Sequence, residues 1–429
     1  MIRLLVLDDP YPFVQDLPDL GDRALQRGFR ALVAAEGRFQ IISGRWQSFA
    51  HFSGKRLVKS RLSTQRLIER WYQQLNGQIV HDTRWDRRAM ALLVHSAQKL
   101  PLAPLDRWTR QRTGQPFVKT VAPRLLPSVY GRRFVDSVRK ADVCVFNAGG
   151  LLADHLSDQL PGRLFQLYVA KQLGKPVAVA NYSLNLEKPS HRQLAAAILP
   201  TLDLHIVREP LAKGQLQELG VAEEAIISSV DTAFAVPPQD PLLPMEGRGE
   251  CIAVAIRGDR RVDLRAWAEL IAAVRARYGL KVHFLPGCRP VDLPVRQGLN
   301  RLCPLDDDGR FPDHPEGLAQ LGHMRLLITD RYYHGVFAIQ TATPVIPVMA
   351  STRDIQHLFA TFEYPIPALK PLTQALLPTY LDWIDRALSQ GNSLSQSLLY
   401  RHQQLVTQLT SDYQSFFARL CLLLSSPSP

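Results

Sequence analysis

An arginine and a histidine stand at the most chemically informative point of this sequence, directly after an apolar run typical of a buried strand. Residues 326–338 carry Arg331 and His334 three positions apart. A helix that begins at Asp330, capped by Thr329 or Asp330, would project both side chains from one face of its first turn. A fixed positive charge beside an imidazole suits anion binding and proton transfer. A capped helix with an exposed arginine and a buried histidine is the other interpretation of this pair.

Length and composition limit what such a site can belong to. The 429 residues exceed what one core usually organises, and 46% hydrophobic with 21% charged residues is typical of a soluble globular protein, so we expect two domains. Five cysteines without C-x-x-C spacing argue against a disulfide framework or zinc cluster and favour a reducing cytoplasm. The N-terminus is unlike a signal peptide, and no apolar run approaches the roughly 18 residues of a membrane span. We expect a cytoplasmic protein, soluble or peripheral at the inner face of the membrane.

The formal net charge of +12 is concentrated in one region of the chain. Residues 44–140 contain 20 lysines and arginines against 5 aspartates and glutamates, together with four of the six tryptophans. Such a surface suits contact with an anionic membrane or a phosphorylated acceptor. A solvated basic face over core tryptophans is at least as good an interpretation. Nucleic acid is not expected as a partner, because no recognisable nucleic-acid module accompanies the charge.

Strand and helix patterns alternate along most of the chain, which is typical of parallel sheets covered by helices on both faces. The segment 236–249, rich in proline and glycine, is the clearest linker, and the prolines of 365–371 mark a second break. The predicted organisation is an N-terminal α/β domain over 1–238 with a basic helical insertion at about 44–140, a C-terminal α/β domain over 250–365, and helices over 373–425.

The predicted fold is α/β, with two Rossmann-like domains that face a cleft, as in GT-B-like folds, and a C-terminal helical tail that packs back on the first domain. Ligands bind at the carboxyl ends of parallel strands in this architecture. Glycines and three arginines follow the predicted strands, so an anionic substrate, either a carboxylate or a phosphate, is expected. The predicted site residues besides Arg331 and His334 are Gly21, Asp22, Asn147, Gly149, Gly150, Arg208, Arg257 and Asp330.

Short segments with a fixed order extend from residue 19 to about 348. They are Asp-Leu-Gly-Asp at 19–22, Asn-Ala-Gly-Gly-Leu-Leu at 147–152, Leu-Gly-Lys-Pro-Val at 173–177, Ile-Val-Arg-Glu at 206–209, Leu-Gly-Val at 219–221, Val-Asp-Thr-Ala-Phe at 230–234, Thr-Asp-Arg-Tyr-Tyr-His-Gly at 329–335 and Ala-Thr-Pro-Val at 342–345. Together they resemble the polysaccharide pyruvyl transferases. Two departures from that family are the pair of tyrosines between Arg331 and His334, where one residue is usual, and Asp19, where asparagine is usual.

The resemblance implies a concrete reaction. Pyruvate from phosphoenolpyruvate is attached to two hydroxyl groups of a sugar as a cyclic ketal, and phosphate is released. This chemistry needs a proton donor for the enol carbon, a base, and clamps for one carboxylate and one phosphate. As the matching family positions imply, His334 is the candidate acid–base group, and Arg331 and Arg208 are the candidate clamps. Arg257 is a third candidate clamp.

The acceptor implied by the resemblance is a sugar of a cell-surface polysaccharide or of its lipid-linked oligosaccharide precursor. Asp22 and the loop 147–150 are assigned to the acceptor side of the site. No cofactor is expected, because phosphoenolpyruvate is itself the donor substrate. No metal is expected either, since this chemistry does not require one.

Two other classes of function stay open. A GT-B glycosyltransferase that uses a nucleotide sugar would need the same two-domain cleft, because fold does not fix function. That class predicts binding of a nucleotide diphosphate at the second domain. A non-catalytic sugar-binding or scaffold protein, with the basic region as its interaction site, is the third class.

Overall fold

The structure, a computed structural model, describes residues 1–7, 19–42, 129–154, 160–258, 261–350 and 354–425. Its contacts divide the chain into two units. Unit 1 comprises Met1–Pro12, Arg30–Asp231 and Thr410–Pro429, and unit 2 comprises Phe13–Phe29 and Thr232–Leu409. The basic insertion predicted at about 44–140 lies outside the described residues, except for 129–140.

Unit 1 contains a six-stranded parallel sheet in the order β2-β1-β3-β4-β5-β6. Its strands are β1 Ile2–Leu7, β2 Phe39–Ile42, β3 Val143–Ala153, β4 Val177–Asn185, β5 Leu204–Val207 and β6 Ile226–Ser228. Among the described residues, its helices are the part of α1 (Leu20–Glu36) from Arg30 onward, α2 Val129–Lys140, α3 Leu160–Gln172, α4 Pro189–Ile198 and α5 Pro210–Glu218. Strand β5 is buried over its whole length and β4 over nearly all of it, as is usual for parallel strands covered on both faces.

Unit 2 contains a four-stranded parallel sheet in the order β10-β9-β7-β8. Its strands are β7 Cys251–Ala255, β8 Lys281–Phe284, β9 Leu326–Thr329 and β10 Val345–Pro347. Its helices are α6 Leu264–Tyr278, α7 Arg289–Leu302, α8 His314–Gly322, α9 Tyr332–Gln340, α10 Asp354–Ala360, α11 Leu377–Ser389 and, as far as Leu409, α12 Gly391–Ser425. Because Ala255 aligns with Thr329, the carboxyl ends of β7 and β9 lie side by side.

The C-terminal part of α12 belongs to the first unit, which confirms the predicted return of the helical tail. This part begins at Thr410. The ring centroids of Phe417 and Phe39 are 5.3 Å apart. Arg419 donates a hydrogen bond from Nη1 to the carbonyl oxygen of Glu224 at 2.6 Å. The end of α12 is therefore part of the packing of unit 1.

All five cysteines are described, and all are free thiols. Burial raises the pKa of the Cys144 thiol to about 12, so this cysteine stays protonated in its apolar surroundings. In the described part of the chain, none of the helices combines the length and the hydropathy that a membrane span requires.

The packing of the tail predicts a stability difference between two positions of α12. Phe417→Ala should lower the free energy of unfolding by about 3–5 kcal/mol, since it empties a site that is 1% exposed. Tyr400→Ala, at 64% exposure on the same helix, should change it by less than about 0.5 kcal/mol. Urea unfolding followed by circular dichroism measures both, and equal effects would contradict the packing described.

Candidate functional site

The junction between β9 and α9 carries the arginine and histidine, but its helix begins two residues later than predicted. Helix α9 begins at Tyr332, and Arg331 is its N-cap residue, in an extended conformation with φ −98° and ψ 123°. The side chain of Thr329, one of the two predicted capping residues, does not cap α9. Thr329 Oγ1 donates to the carbonyl oxygen of Ala255 at 2.8 Å and accepts the backbone N–H of Arg331 at 3.0 Å. The junction is thus fixed by the neighbouring strand.

Asp330, the other predicted cap, is directed at the end of β7. Its Oδ1 accepts the backbone N–H of Arg257 at 2.9 Å, and the residue is 8% exposed. Asp330 therefore joins the ends of β7 and β9 and places Arg257 beside the junction. Contact of Asp330 or Arg257 with a substrate stays a prediction.

Arg331 is buried and is held by a carboxylate that was not among the predicted site residues. The Arg331 side chain is 8% exposed and that of Asp292 is 0% exposed, and Arg331 Nη2 donates to Asp292 Oδ1. Asp292 Oδ2 accepts the backbone N–H groups of Gly287 and Cys288, each at 2.8 Å. These donors compensate the buried charge and fix the direction of the guanidinium. An acidic residue in the first turn of α7, directly after β8, is the sequence signal for it.

His334 lies beside Arg331 in the first turn of α9, and it is neutral at neutral pH. The residue is 3% exposed, and the carbonyl oxygen of Leu285 near its ring favours the protonated form only weakly against burial, so the net effect is a lowered pKa. Burial and then the charge of Arg331 lower the pKa of His334 to about 3. Gly287 makes room for both side chains, because a Cβ there would lie 2.9 Å from Arg331 Nη1 and from His334 Cε1.

Asp19 brings a second carboxylate to Arg331 from the start of α1. Its Oδ1 accepts the backbone N–H of Gly21 at 2.8 Å, and the N–H of Asp22 also bonds to this carboxylate. Its Oδ2 lies 3.9 Å from Arg331 Nη1, and its side chain is 30% exposed. Burial raises the pKa of the Asp19 carboxyl, and the charges of Arg331 and Arg257 oppose that rise.

Gly21 accommodates one of the two tyrosines that precede His334. A Cβ on Gly21 would lie 1.7 Å from Tyr333 Cδ2, so the tyrosine ring occupies the space of the missing side chain. The Tyr332 and Tyr333 rings meet edge-on, with centroids 5.2 Å apart. The start of α1 is also tied to the loop before α7, since the Leu20 N–H donates to the carbonyl oxygen of Gly287 at 2.7 Å.

Arg208 follows β5 in unit 1, and its guanidinium is also fixed by buried partners. Its Nε donates to Ser183 Oγ at 2.8 Å, and its Nη1 donates to Asp231 Oδ2 at 2.6 Å. The side chains of Arg208 and Asp231 are 3% and 0% exposed. Asn181, with a φ of 52°, donates from Nδ2 to Asp231 Oδ1 at 3.5 Å.

The glycine-containing loop predicted in the first domain is part of β3 and passes beside Arg208. Gly149 has a φ of 54°, in the left-handed region that favours glycine. A Cβ on Gly150 would be 4.0 Å from Arg208 Nη2, so the loop backbone lies next to the guanidinium. Asn147, at the start of this loop, is buried. A guanidinium fixed beside a stretch of backbone without side chains suits the approach of an anion.

The predicted site residues fall into two groups, one in each unit. Unit 2 holds Gly21, Asp22, Arg257, Asp330, Arg331 and His334, and unit 1 holds Asn147, Gly149, Gly150 and Arg208. The prediction did not include the residues that position the two arginines, which are Asp19, Asp292, Ser183 and Asp231. A buried arginine requires such partners, which is the general signal for them. Among the described side chains, no group of three or more His, Cys, Asp or Glu is placed to hold a metal ion.

The model of the polysaccharide pyruvyl transferase family matches residues 58–351. No curated protein matches this sequence.

Two solved structures are similar over nearly the whole chain. UDP-GlcNAc 2-epimerase from Neisseria meningitidis, bound to UDP-GlcNAc, is 10% identical, with coverage of 99% of this chain and 100% of that one and a TM-score of 0.53. A putative UDP-N-acetylglucosamine 2-epimerase from Listeria monocytogenes is 12% identical, with coverage of 92% and 91% and a TM-score of 0.50. At these identities the likeness shows the fold alone, which is GT-B-like, as predicted.

The contact between Gly21 and Tyr333 predicts a coupling that a double-mutant cycle can measure. Gly21→Ala should destabilise the protein by about 1–3 kcal/mol because its methyl group overlaps the ring, and Tyr333→Ala should remove most of that penalty. Gly214→Ala, on helix α5 with nothing within 4 Å of the added Cβ, is the matched control and should be neutral or stabilising. Additive effects of the first pair would contradict the contact.

The low pKa of His334 predicts a pH dependence of stability. The unfolded imidazole binds a proton below about pH 6.5, whereas the folded one does so only near pH 3, so this residue's contribution to stability is lost as pH falls through that window. His334→Asn should reduce the slope of unfolding free energy against pH by up to about 1.4 kcal/mol per unit. Some slope should remain in this variant, because burial also lowers the pKa values of His205 and His314, to about 4. Urea unfolding at pH 7, 6 and 5 measures it, and an unchanged slope would refute the assignment.

Proposed function

The chain belongs to the polysaccharide pyruvyl transferase family and is a transferase, and we propose that it transfers pyruvate from phosphoenolpyruvate to two hydroxyl groups of a sugar. The product is a cyclic ketal, and phosphate is released. The observation that carries the proposal is the buried pair of Arg331 and neutral His334 at the carboxyl end of β9. It supplies a fixed cation and a proton-transfer group side by side.

Arg331 is proposed to bind an anionic group of the donor. Asp292 engages one side of the guanidinium, while Arg331 Nε has no hydrogen-bond partner among the described residues. A buried N–H without a partner is costly, and a carboxylate or phosphate oxygen would satisfy it. Since Asp292 already fixes the guanidinium, little side-chain entropy is lost when the donor binds.

His334 is proposed to protonate the enol carbon of the bound donor. In the free protein its pKa of about 3 keeps the imidazole neutral. A multiply charged anion placed beside the ring favours the protonated form and raises this pKa. Donor binding would thus create the acid where it is needed. General acid catalysis of this kind contributes roughly 100- to 10,000-fold in rate.

Arg208, with the loop at Gly149 and Gly150, offers a second fixed guanidinium in unit 1. Its assignment to the substrate, like that of Arg257, Asn147 and Asp22, stays a proposal that rests on residue type and position. The acceptor is proposed to be a sugar of a cell-surface polysaccharide or its lipid-linked precursor. Contact of residues 44–140 with an anionic membrane would serve such an acceptor, and most of that region lies outside the described residues.

Titration calorimetry with phosphoenolpyruvate tests the donor assignment without knowledge of the acceptor. Arg331→Lys keeps the charge that compensates Asp292 but loses the planar fork, so we expect at least about a tenfold loss of affinity with little loss of stability. Arg325→Lys, which alters an exposed ion pair with Glu250 in the same unit, is the control and should bind normally.

A panel of uridine diphosphate sugars, titrated in parallel, separates the alternatives. Saturable binding of phosphoenolpyruvate that depends on Arg331 supports the pyruvyl transfer proposed. Binding of a nucleotide sugar without binding of phosphoenolpyruvate would contradict it and favour a glycosyltransferase. Binding of neither would favour a scaffold protein or another donor.

A further inference from the structure

Ketal formation needs a base as well as an acid, because each attacking sugar hydroxyl must lose its proton. Resting on the function proposed above, we propose that the carboxylate of Asp19 is the base that accepts the proton of the hydroxyl attacking C2 of phosphoenolpyruvate. Asp19 was not among the residues predicted to form the site, and it belongs to the same unit as Arg331.

Three carboxylates lie near Arg331, those of Asp19, Asp292 and Asp330, and that of Asp19 is the best placed to act as the base. Asp292 is 0% exposed, and its oxygens already accept hydrogen bonds from three groups. Asp330 is 8% exposed and bonds to the backbone of Arg257. The Asp19 side chain is 30% exposed, and its Oδ2 is 3.9 Å from Arg331 Nη1, beyond hydrogen-bond distance. Of these three carboxylates, Asp19 is therefore the one most open to a substrate hydroxyl beside the proposed donor clamp.

Helix capping does not by itself account for a carboxylate at this position. Asparagine, which is usual at this position in the family, caps a helix as well as aspartate does, but its amide cannot serve as the base. A base at Asp19 is therefore a feature of this chain rather than of the family. A negative charge next to Arg331 opposes the binding of an anionic donor. The Asp19 carboxylate thus weakens donor binding, and acceptance of a proton from the acceptor would explain why a carboxylate is present at this position. Its raised pKa makes it a stronger base than an ordinary carboxylate, while Arg331 favours its ionised form.

The proton transfers balance. The first hydroxyl oxygen forms a bond to C2 as Asp19 takes its proton, and the electron pair of the C2–C3 double bond takes a proton from the His334 imidazolium. The C2–O bond to phosphate then breaks, and the phosphate leaves with the proton held by Asp19. The second hydroxyl closes the ring at C2, and its proton restores His334. The two hydroxyl protons end on C3 and on phosphate, and no oxidant or reductant is required.

Asp19→Asn is the direct test, because it keeps the size of the side chain and the cap of α1. We expect phosphoenolpyruvate to bind about 2- to 10-fold more tightly by calorimetry, since a nearby negative charge is removed. Phosphate release from phosphoenolpyruvate, measured with water alone and with a mixture of methyl hexosides, should fall roughly 100- to 10,000-fold. The melting temperature should not change.

Asp313→Asn is the matched control. Asp313 caps α8 in the same unit, and its carboxylate lies 3.1 Å from Arg27 and 3.9 Å from Arg23, so the variant makes the same change at another capped helix. It should leave phosphoenolpyruvate binding and phosphate release unchanged.

The results can separate the role of Asp19 as the base from the proposed pyruvyl transfer. Absence of phosphoenolpyruvate binding to the unaltered protein would contradict the proposed function and with it the base. Normal binding to the unaltered protein, with the same affinity and the same phosphate release in Asp19→Asn, would overturn the assignment of Asp19 alone. Tighter binding in Asp19→Asn but not in Asp313→Asn supports the placement of Asp19 beside the donor.

Discussion

The carboxylate of Asp292 is fully buried, and an uncompensated charge at that position would destabilise the folded protein by several kcal/mol. The protein compensates it with Arg331 and with the N–H groups of Gly287 and Cys288. Because Arg331 directly precedes α9 and Asp292 lies in the first turn of α7, the pairing also fixes these two helix starts relative to each other. The geometry of the candidate site in unit 2 depends on this one ion pair.

The properties of the neighbouring groups follow from that constraint. Arg331 is held close to His334, so its charge adds to burial in keeping the imidazole neutral. Gly287 must lack a side chain to admit both groups, and Asp19 meets the guanidinium from the start of α1. Unit 1 shows the same principle at Arg208, which Asp231 and Ser183 hold. In both units a buried carboxylate gives an arginine at a strand end a fixed direction, as anion recognition requires.

The sequence predicted the alternating parallel fold and the residues at strand ends, because hydrophobic periodicity and glycine placement are local signals. It misplaced the start of α9, since the Thr329 side chain bonds across the sheet to Ala255, a partner far away in the chain. Asp292 was missed for the same reason, as its pairing with Arg331 joins residues 39 positions apart. The return of α12 to unit 1 was predicted, whereas its individual contacts, such as that of Phe417 with Phe39, join residues far apart in the chain and could not be.

The protonation state of His334, measured with and without phosphoenolpyruvate, shows whether donor binding creates the acid. Ring-labelled histidine can be followed by NMR across pH in the free and donor-saturated protein, with His334→Asn used to assign the signal. We predict an imidazole that is neutral at pH 7 in the free protein and becomes protonated when the donor binds. A ring already protonated in the free protein at pH 7, or one whose titration saturating donor does not alter, would contradict it.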